Sequence, residues 1–128
     1  MTVDTLFSHA RIFNPYTRNW SVTDIAVLNG KIFYVGDCTA AGIETKEQIE
    51  CAGATVIPGM IDIHLHIESS LCTPHTFSEA VLPCGVTTVV AEHHEMANIF
   101  GHKGIEQMIA ASRMTALDIF HGIPSSVP

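Results

Sequence analysis

Two histidines closing an apolar run constrain this chain more than any other feature. The run Ile57-Pro58-Gly59-Met60-Ile61-Asp62-Ile63-His64-Leu65-His66-Ile67 is dominated by β-branched and aliphatic residues, the make-up of a strand covered on both faces. Side chains two apart on a strand leave the same face, so His64 and His66 are expected to stand side by side. Neutral imidazoles placed that way can ligate one divalent metal. Without such a role they would be two histidines among aliphatics, which is costly unless each finds a partner.

The rest of the chain alternates around this stretch. Upstream, Thr5–Ile12, Asp24–Leu28 and Lys31–Val35 read as strands of an antiparallel meander. Turn chemistry lies at 14–19, and Asn29-Gly30 marks a type I′ hairpin. Thr39–Glu50 is polar and acidic and reads as a loop or a short helical turn. Downstream, Thr73-Pro74 is an N-cap followed by proline at the first helical position. Phe77, Ala80, Val81 and Cys84 would share a helical face, ended by Pro83 and Gly85. Val86–Ala91 is a strand. Lys103–Arg113 is a second helix, with Ile105, Met108, Ile109 and Ser112 on one side, and Leu117–His121 is a third strand. Strand and helix alternating at ~30-residue spacing predicts parallel βαβ units. The boundary falls between a small β domain at 1–57 and an α/β part at 58–128.

Reactive residue types gather where these strands end. His64, His66 and Glu68 close the first, Glu92-His93-His94-Glu95 the second, and His121 with Ser125-Ser126 the third. Five of the eight histidines sit at those three ends. Glu68, two past His66, shares its face if the strand continues. Ser69 and Ser70 read as loop-shaping hydroxyls that cap backbone groups. The plainer reading of the second cluster is a solvated helix start, where Glu92 and Glu95 would favour the N-terminus and His93 would face water. His75 and His102 are expected at the surface, and His9 has a structural place in the small sheet.

V-I-P-G-M-I-D-I-H-L-H resembles the first barrel strand of the amidohydrolase superfamily, the metal-dependent hydrolases built on a (β/α)8 barrel. H-L-H-I-E-S-S with L-C-T-P, L-P-C-G-V-T-T-V-V-A-E-H-H-E-M-A-N and I-P-S-S-V-P resemble the adenine deaminase branch, so the likeness runs from about Asp4 to the last residue. It implies a composite β-sandwich beside the barrel. His64 and His66 become metal ligands, with the carboxylates Glu92 and Glu95 on a second, harder ion. One or two divalent ions are implied, Mn²⁺ or Fe²⁺ first and Zn²⁺ as the alternative. Such a site makes water a nucleophile near neutral pH, for the deamination of adenine to hypoxanthine and ammonia in purine salvage. Glu95 and Glu68 are the candidate catalytic carboxylates, and Glu68, Ser69, His94 and Ser125 the candidate substrate-binding residues. Several related hydrolases hold an arginine at the place of Glu68, receiving a substrate carboxylate. A glutamate fits a substrate offering N–H donors, or would orient a ligand histidine. The branch's usual A-D-P-H-E block is matched by His94 and Glu95, while Glu92 and His93 replace its aspartate and proline. That departure keeps open another cyclic amidohydrolase, acting on a cyclic amide or a different aminated ring.

Length and charge bound these readings. Only 68 residues follow Met60, room for about two and a half β/α units, whereas a complete barrel takes ~250 residues. The expectation is therefore an N-terminal portion, inactive alone, that needs the remainder of the barrel or a partner chain. A truncated, non-catalytic interaction protein is the competing class. The parent is expected to be a homo-oligomer, and the exposed sheet edges of the isolated piece invite association. A net charge of −7 argues against nucleic-acid binding, which needs clustered Lys and Arg. No apolar run approaches the ~20 residues of a membrane span, and no basic-then-apolar leader opens the chain, so a cytoplasmic location is expected. The four cysteines lack a C-x-x-C pair and are expected to be free thiols.

Overall fold

The structure, a computed structural model, describes residues 1–125. It forms two compact units, Met1–Pro58 and Gly59–Pro128. The first is a five-stranded sheet built on a long first strand, β1 (Thr2–Asn14). β2 (Asn19–Leu28) and β3 (Lys31–Gly36) follow it antiparallel. The Asn14 side chain accepts from the backbone amides of Tyr16 and Thr17 and so closes the first turn. Asn29 and Gly30 both take positive φ, 53° and 70°, the type I′ geometry that matches strand twist.

The meander is not the whole sheet. β4 (Glu44–Glu50) and the short β5 (Thr55–Val56) both run parallel to β1, giving the order β3-β2-β1-β4 with β5 further along β1. The sheet is therefore mixed, and the polar stretch expected to be a loop is largely a strand. β4 is exposed at nearly every position. Backbone pairing with β1 holds it there, helped by Lys46 on Asp4 at 2.6 Å, and a hydrophobic pattern has no part in it. Val3, Leu6, Ala26 and Cys38 form the buried core of this unit. All four cysteines are free thiols.

The second unit is a parallel three-stranded sheet in the order β6 (Met60–Leu65), β7 (Val86–Glu92), β8 (Asp118–Gly122). α1 (Pro74–Val81) links the first two strands, and α2 (His94–Phe100) with α3 (His102–Ser112) links the next two. This is the β/α alternation read from the sequence, without closure into a barrel. Thr73 caps α1 in a reciprocal capping box with Thr76, and Pro74 opens its first turn. The buried side of α1 is Pro74, Phe77, Ser78 and Val81. Ala80 and Cys84, expected on that side, are exposed. The apolar face thus begins one turn earlier, at the proline. Ile67, Ala91 and Met108 are the buried core, with Leu65, Phe77 and Met96 packed on it.

The strand that carries His64 and leads into His66 is not covered on both faces. Ile61 is 63% and Ile63 78% exposed, because β6 is a sheet edge and no described element of this unit lies over its outward side chains. No helix among the described residues is long and apolar enough to cross a membrane.

Candidate metal centre

The C-terminal ends of the three parallel strands bring the chemistry together. β6 ends at Leu65, and the chain turns at once into a 3-10 turn at Glu68–Ser70. Glu68 is thus carried by the turn, not by a continuing strand. β7 ends at Glu92, and α2 begins two residues later. The helix was foreshadowed only as a polar start after the second strand, since seven residues closed by Gly101 leave little periodicity to read.

Two sets of donors converge. One ligand atom each from His64, His66 and Glu92 lie within 4.8 Å of one another, and so do atoms from His66, His94 and Glu95. His66 belongs to both. Its ring lies 5.0 Å from that of His64 and 4.2 Å from that of His94, centroid to centroid. His66 Nδ1 donates to the main-chain carbonyl of Glu92 at 2.6 Å. That bond fixes the tautomer and leaves Nε2 as a lone pair, the usual arrangement of a ligating histidine. His94, expected on the substrate side, stands among the donors.

The carboxylates are held from several directions. Ser69 donates its hydroxyl to Glu95 Oε1. This bond, more than any other influence, holds the Glu95 carboxyl below the usual carboxylate range. Its other oxygen, 3.5 Å from His94 Nε2, is buried without a hydrogen-bond partner among the described residues, as is Glu68 Oε1. Orphaned buried carboxylate oxygens are expensive, and a cation, an N–H donor or a proton shared between Glu68 and Glu95 would satisfy them. Nitrogen and carboxylate donors with a preset histidine tautomer fit a divalent ion. The backbone amide of Ser125 donates to Glu92 Oε1 at 2.9 Å, so Ser125 orients a carboxylate here. Ser70 caps the carbonyl of Ile67 at 2.6 Å. Ser126 lies outside the described residues.

His93 departs most from expectation. Read as solvated, it has no exposed surface at all. Its Nδ1 lies 3.0 Å from Glu68 Oε2 and its Nε2 2.9 Å from His121 Nδ1. Burial, then the neighbouring His93, keeps His121 less basic than an ordinary imidazole. A histidine in a block whose resemblance offers a proline gives no sequence signal for this role. Only the fold shows that it faces Glu68 and His121. His75 and His102 are exposed.

Residues 55–128 match the model of the amidohydrolase family. The chain belongs to the amidohydrolase family. Over its whole length it is 49% identical to adenine deaminase 2 of Shouchella clausii, and over 98% of its length 44% identical to adenine deaminase of Bacillus subtilis. It spans about a fifth of the length of these relatives, 22% and 21%. Among solved structures, D-aminoacylase, described with a binuclear metal centre, superposes with a TM-score of 0.57 at 30% identity, over 70% of this chain and 18% of that one. An N-acyl-D-glutamate deacylase from Bordetella bronchiseptica gives 0.56 at 22% identity, a likeness of fold. The second unit is thus the start of an amidohydrolase fold, in agreement with the family reading of the motifs.

Proposed function

We propose that these residues form the first part of a divalent-metal centre that hydrolyses adenine to hypoxanthine and ammonia. The observation that carries this reading is His66, shared by two donor sets and preset by the Glu92 carbonyl. The adenine deaminase relatives, alike along the whole chain, support the substrate. His64, His66 and Glu92 would hold one ion, and His94 and Glu95 a neighbouring one with His66 as the contested donor. An ion held there acidifies water to supply a nucleophile near neutral pH. Mn²⁺ or Fe²⁺ suits the carboxylate share of the donors, with Zn²⁺ as the alternative.

The chain's own residues supply positioning. Glu68 offers Oε1, buried and unpartnered, as an acceptor for an amine or ring N–H of the substrate. Ser69 keeps Glu95 ionised, and Ser125 steers Glu92. A catalytic metal keeps about three protein ligands and an open position, and the general acid for the departing amine has no candidate among these residues. Turnover therefore belongs to a chain or assembly that supplies further strand ends, and the 128 residues alone are inactive.

The test is the natural-length protein, purified metal-free and reloaded with Mn²⁺ or Fe²⁺, with adenine absorbance and released ammonia followed together. Stoichiometric loss of adenine and gain of ammonia is expected. Ion binding without adenine turnover would leave the metal centre and remove the substrate. The Glu92-His93 departure favours a second reading, hydrolysis of a cyclic amide, so the same preparation is assayed with a cyclic imide.

A further inference from the structure

The loop after β8 reaches back to the donor residues through its main chain. Glu92 ends β7 and lies opposite Gly122, the last residue of β8, in the parallel pairing. Within three residues the chain has turned back over this strand end, and the backbone N–H of Ser125 donates to Glu92 Oε1 at 2.9 Å. Pro124 comes directly before Ser125, and its ring-fixed φ stiffens the approach. Neither donor set takes a ligand from β8 or from this loop among the described residues. The Ser125 hydrogen bond joins the third strand end to the set of His64, His66 and Glu92.

The direction of this bond depends on no protonation state, because a main-chain N–H can only donate. It takes one of the roughly four lone pairs of the carboxylate and leaves the others for an ion. Hydrogen bonds to a carboxylate are charge-assisted and stronger than neutral ones, which favours this one at an exposed residue. A glutamate side chain has many rotamers, and ordering it costs free energy. A glutamate ordered before the ion arrives binds that ion more tightly. We infer that Ser125 is a positioning residue acting through its main-chain N–H and not its hydroxyl, and that the loop after β8 and an ion at Glu92 stabilise each other. The second half follows from the first, since coupling between two sites is reciprocal. The inference rests on the metal reading proposed above and assigns Ser125 to the ion, not to the substrate.

The experiment is calorimetric titration of Mn²⁺ into the metal-free natural-length protein and into three variants at position 125. Ser125→Ala removes the hydroxyl and keeps the N–H. Ser125→Pro removes the N–H. An ester at this position, introduced as the α-hydroxy analogue of serine, removes the N–H and leaves the side chain in place. Mn²⁺ affinity should fall about 10–100-fold in the proline and ester variants, the range for a lost contact that supports a ligand, and should hold in Ser125→Ala. The metal-free Tm should stay at the wild-type value in each, because the residue is exposed. Mn²⁺ should also slow hydrogen exchange over 118–124 in the wild type, and less so in the ester. Equal affinity in wild type and ester overturns the inference. So does a loss in Ser125→Ala as large as in the ester, which would give the role to the hydroxyl. A loss matched by a fall in metal-free Tm would make the bond merely structural and overturns it too. If Ser125→Pro does not fold, the ester decides. A wild-type protein that binds no Mn²⁺ fails the metal reading itself, and that result is told apart because it needs no variant.

Discussion

His66 Nδ1 donates to the main-chain carbonyl of Glu92 at 2.6 Å, not to the Glu92 carboxylate. The histidine just past one strand is thus steered by the backbone of the next, and the carboxylate stays available as a metal ligand. Because His66 is common to both donor sets, His66→Ala should weaken Mn²⁺ binding by more than His64→Ala, which leaves His66, His94 and Glu95 intact. The expected loss for His66→Ala exceeds the roughly 10–100-fold typical of a lost supporting contact. Calorimetric titration of both variants in the natural-length protein checks this, and equal losses would contradict a shared ligand.

His93→Leu should destabilise the protein strongly. It leaves Glu68 and His121 without their common partner in a buried place, and each orphaned group costs about 1–3 kcal/mol. The sum is on the order of 2–6 kcal/mol. His75→Leu, on an exposed position of α1, should stay within about 0.5 kcal/mol of wild type. Urea unfolding of the two variants side by side makes the comparison.

Gly104→Ala tests the packing of α2 on α3. Alanine gains up to about 1 kcal/mol in helix propensity. The new methyl, however, would press into the main-chain carbonyl of Met96, an atom that cannot rotate away. Overpacking against backbone costs about 1–3 kcal/mol, so the net effect should be a lowered Tm. A raised Tm would mean that the two helices separate easily.

The first unit carries its own pH dependence through His9 and Glu50, 2.8 Å apart. The Glu50 hydrogen bond raises the His9 pKa above 6.5, and the same bond lowers Glu50 below 4.5. A raised histidine pKa favours the folded state fully below 6.5 and loses that favour as pH climbs through the raised value. A lowered carboxyl pKa favours it above 4.5 and loses it as pH falls through the depressed value. The pair therefore contributes most between 4.5 and 6.5. His9→Gln should flatten the pH profile of the unfolding midpoint in that window. Both groups are exposed, so the effect is small.

The 128-residue chain purified alone should self-associate through the uncovered side of β6. Ile63→Lys puts a charge on that edge, a natural device against edge pairing, and should shift light scattering toward monomer. An unchanged distribution would place the association elsewhere.

The β/α order of the second unit was legible because its strands are β-branched runs bounded by glycine and charge. The Ile57–Ile67 run and Val86–Ala91 could hardly be read otherwise. His64 and His66 were legible from a spacing that strand geometry turns into adjacency. β4 was not. Its stability lies in pairing with β1, and backbone hydrogen bonds leave no trace in side-chain pattern. His93 was hidden for a related reason. Its partners are 25 residues before it and 28 after it, and no local rule distinguishes a solvated histidine from one bonded at both ring nitrogens. The α1 face was misplaced by one turn because Pro74, read as a cap, is itself buried.

The position of β1 at the centre of its sheet bears on the order of assembly. On one side β1 pairs with β2 almost as soon as the hairpin is made, Asn14 opposite Asn19. On the other it waits for Glu44, which pairs with Thr2, and then for Thr55, which pairs with Arg11. A chain emerging from the ribosome N-terminus first thus holds one bare strand edge until more than forty further residues have appeared. Non-local parallel pairing of this kind is slow, and an unpaired strand is exposed to aggregation while it waits. Slowed translation should lengthen that interval, and a chaperone that shields β1 should shorten its consequences.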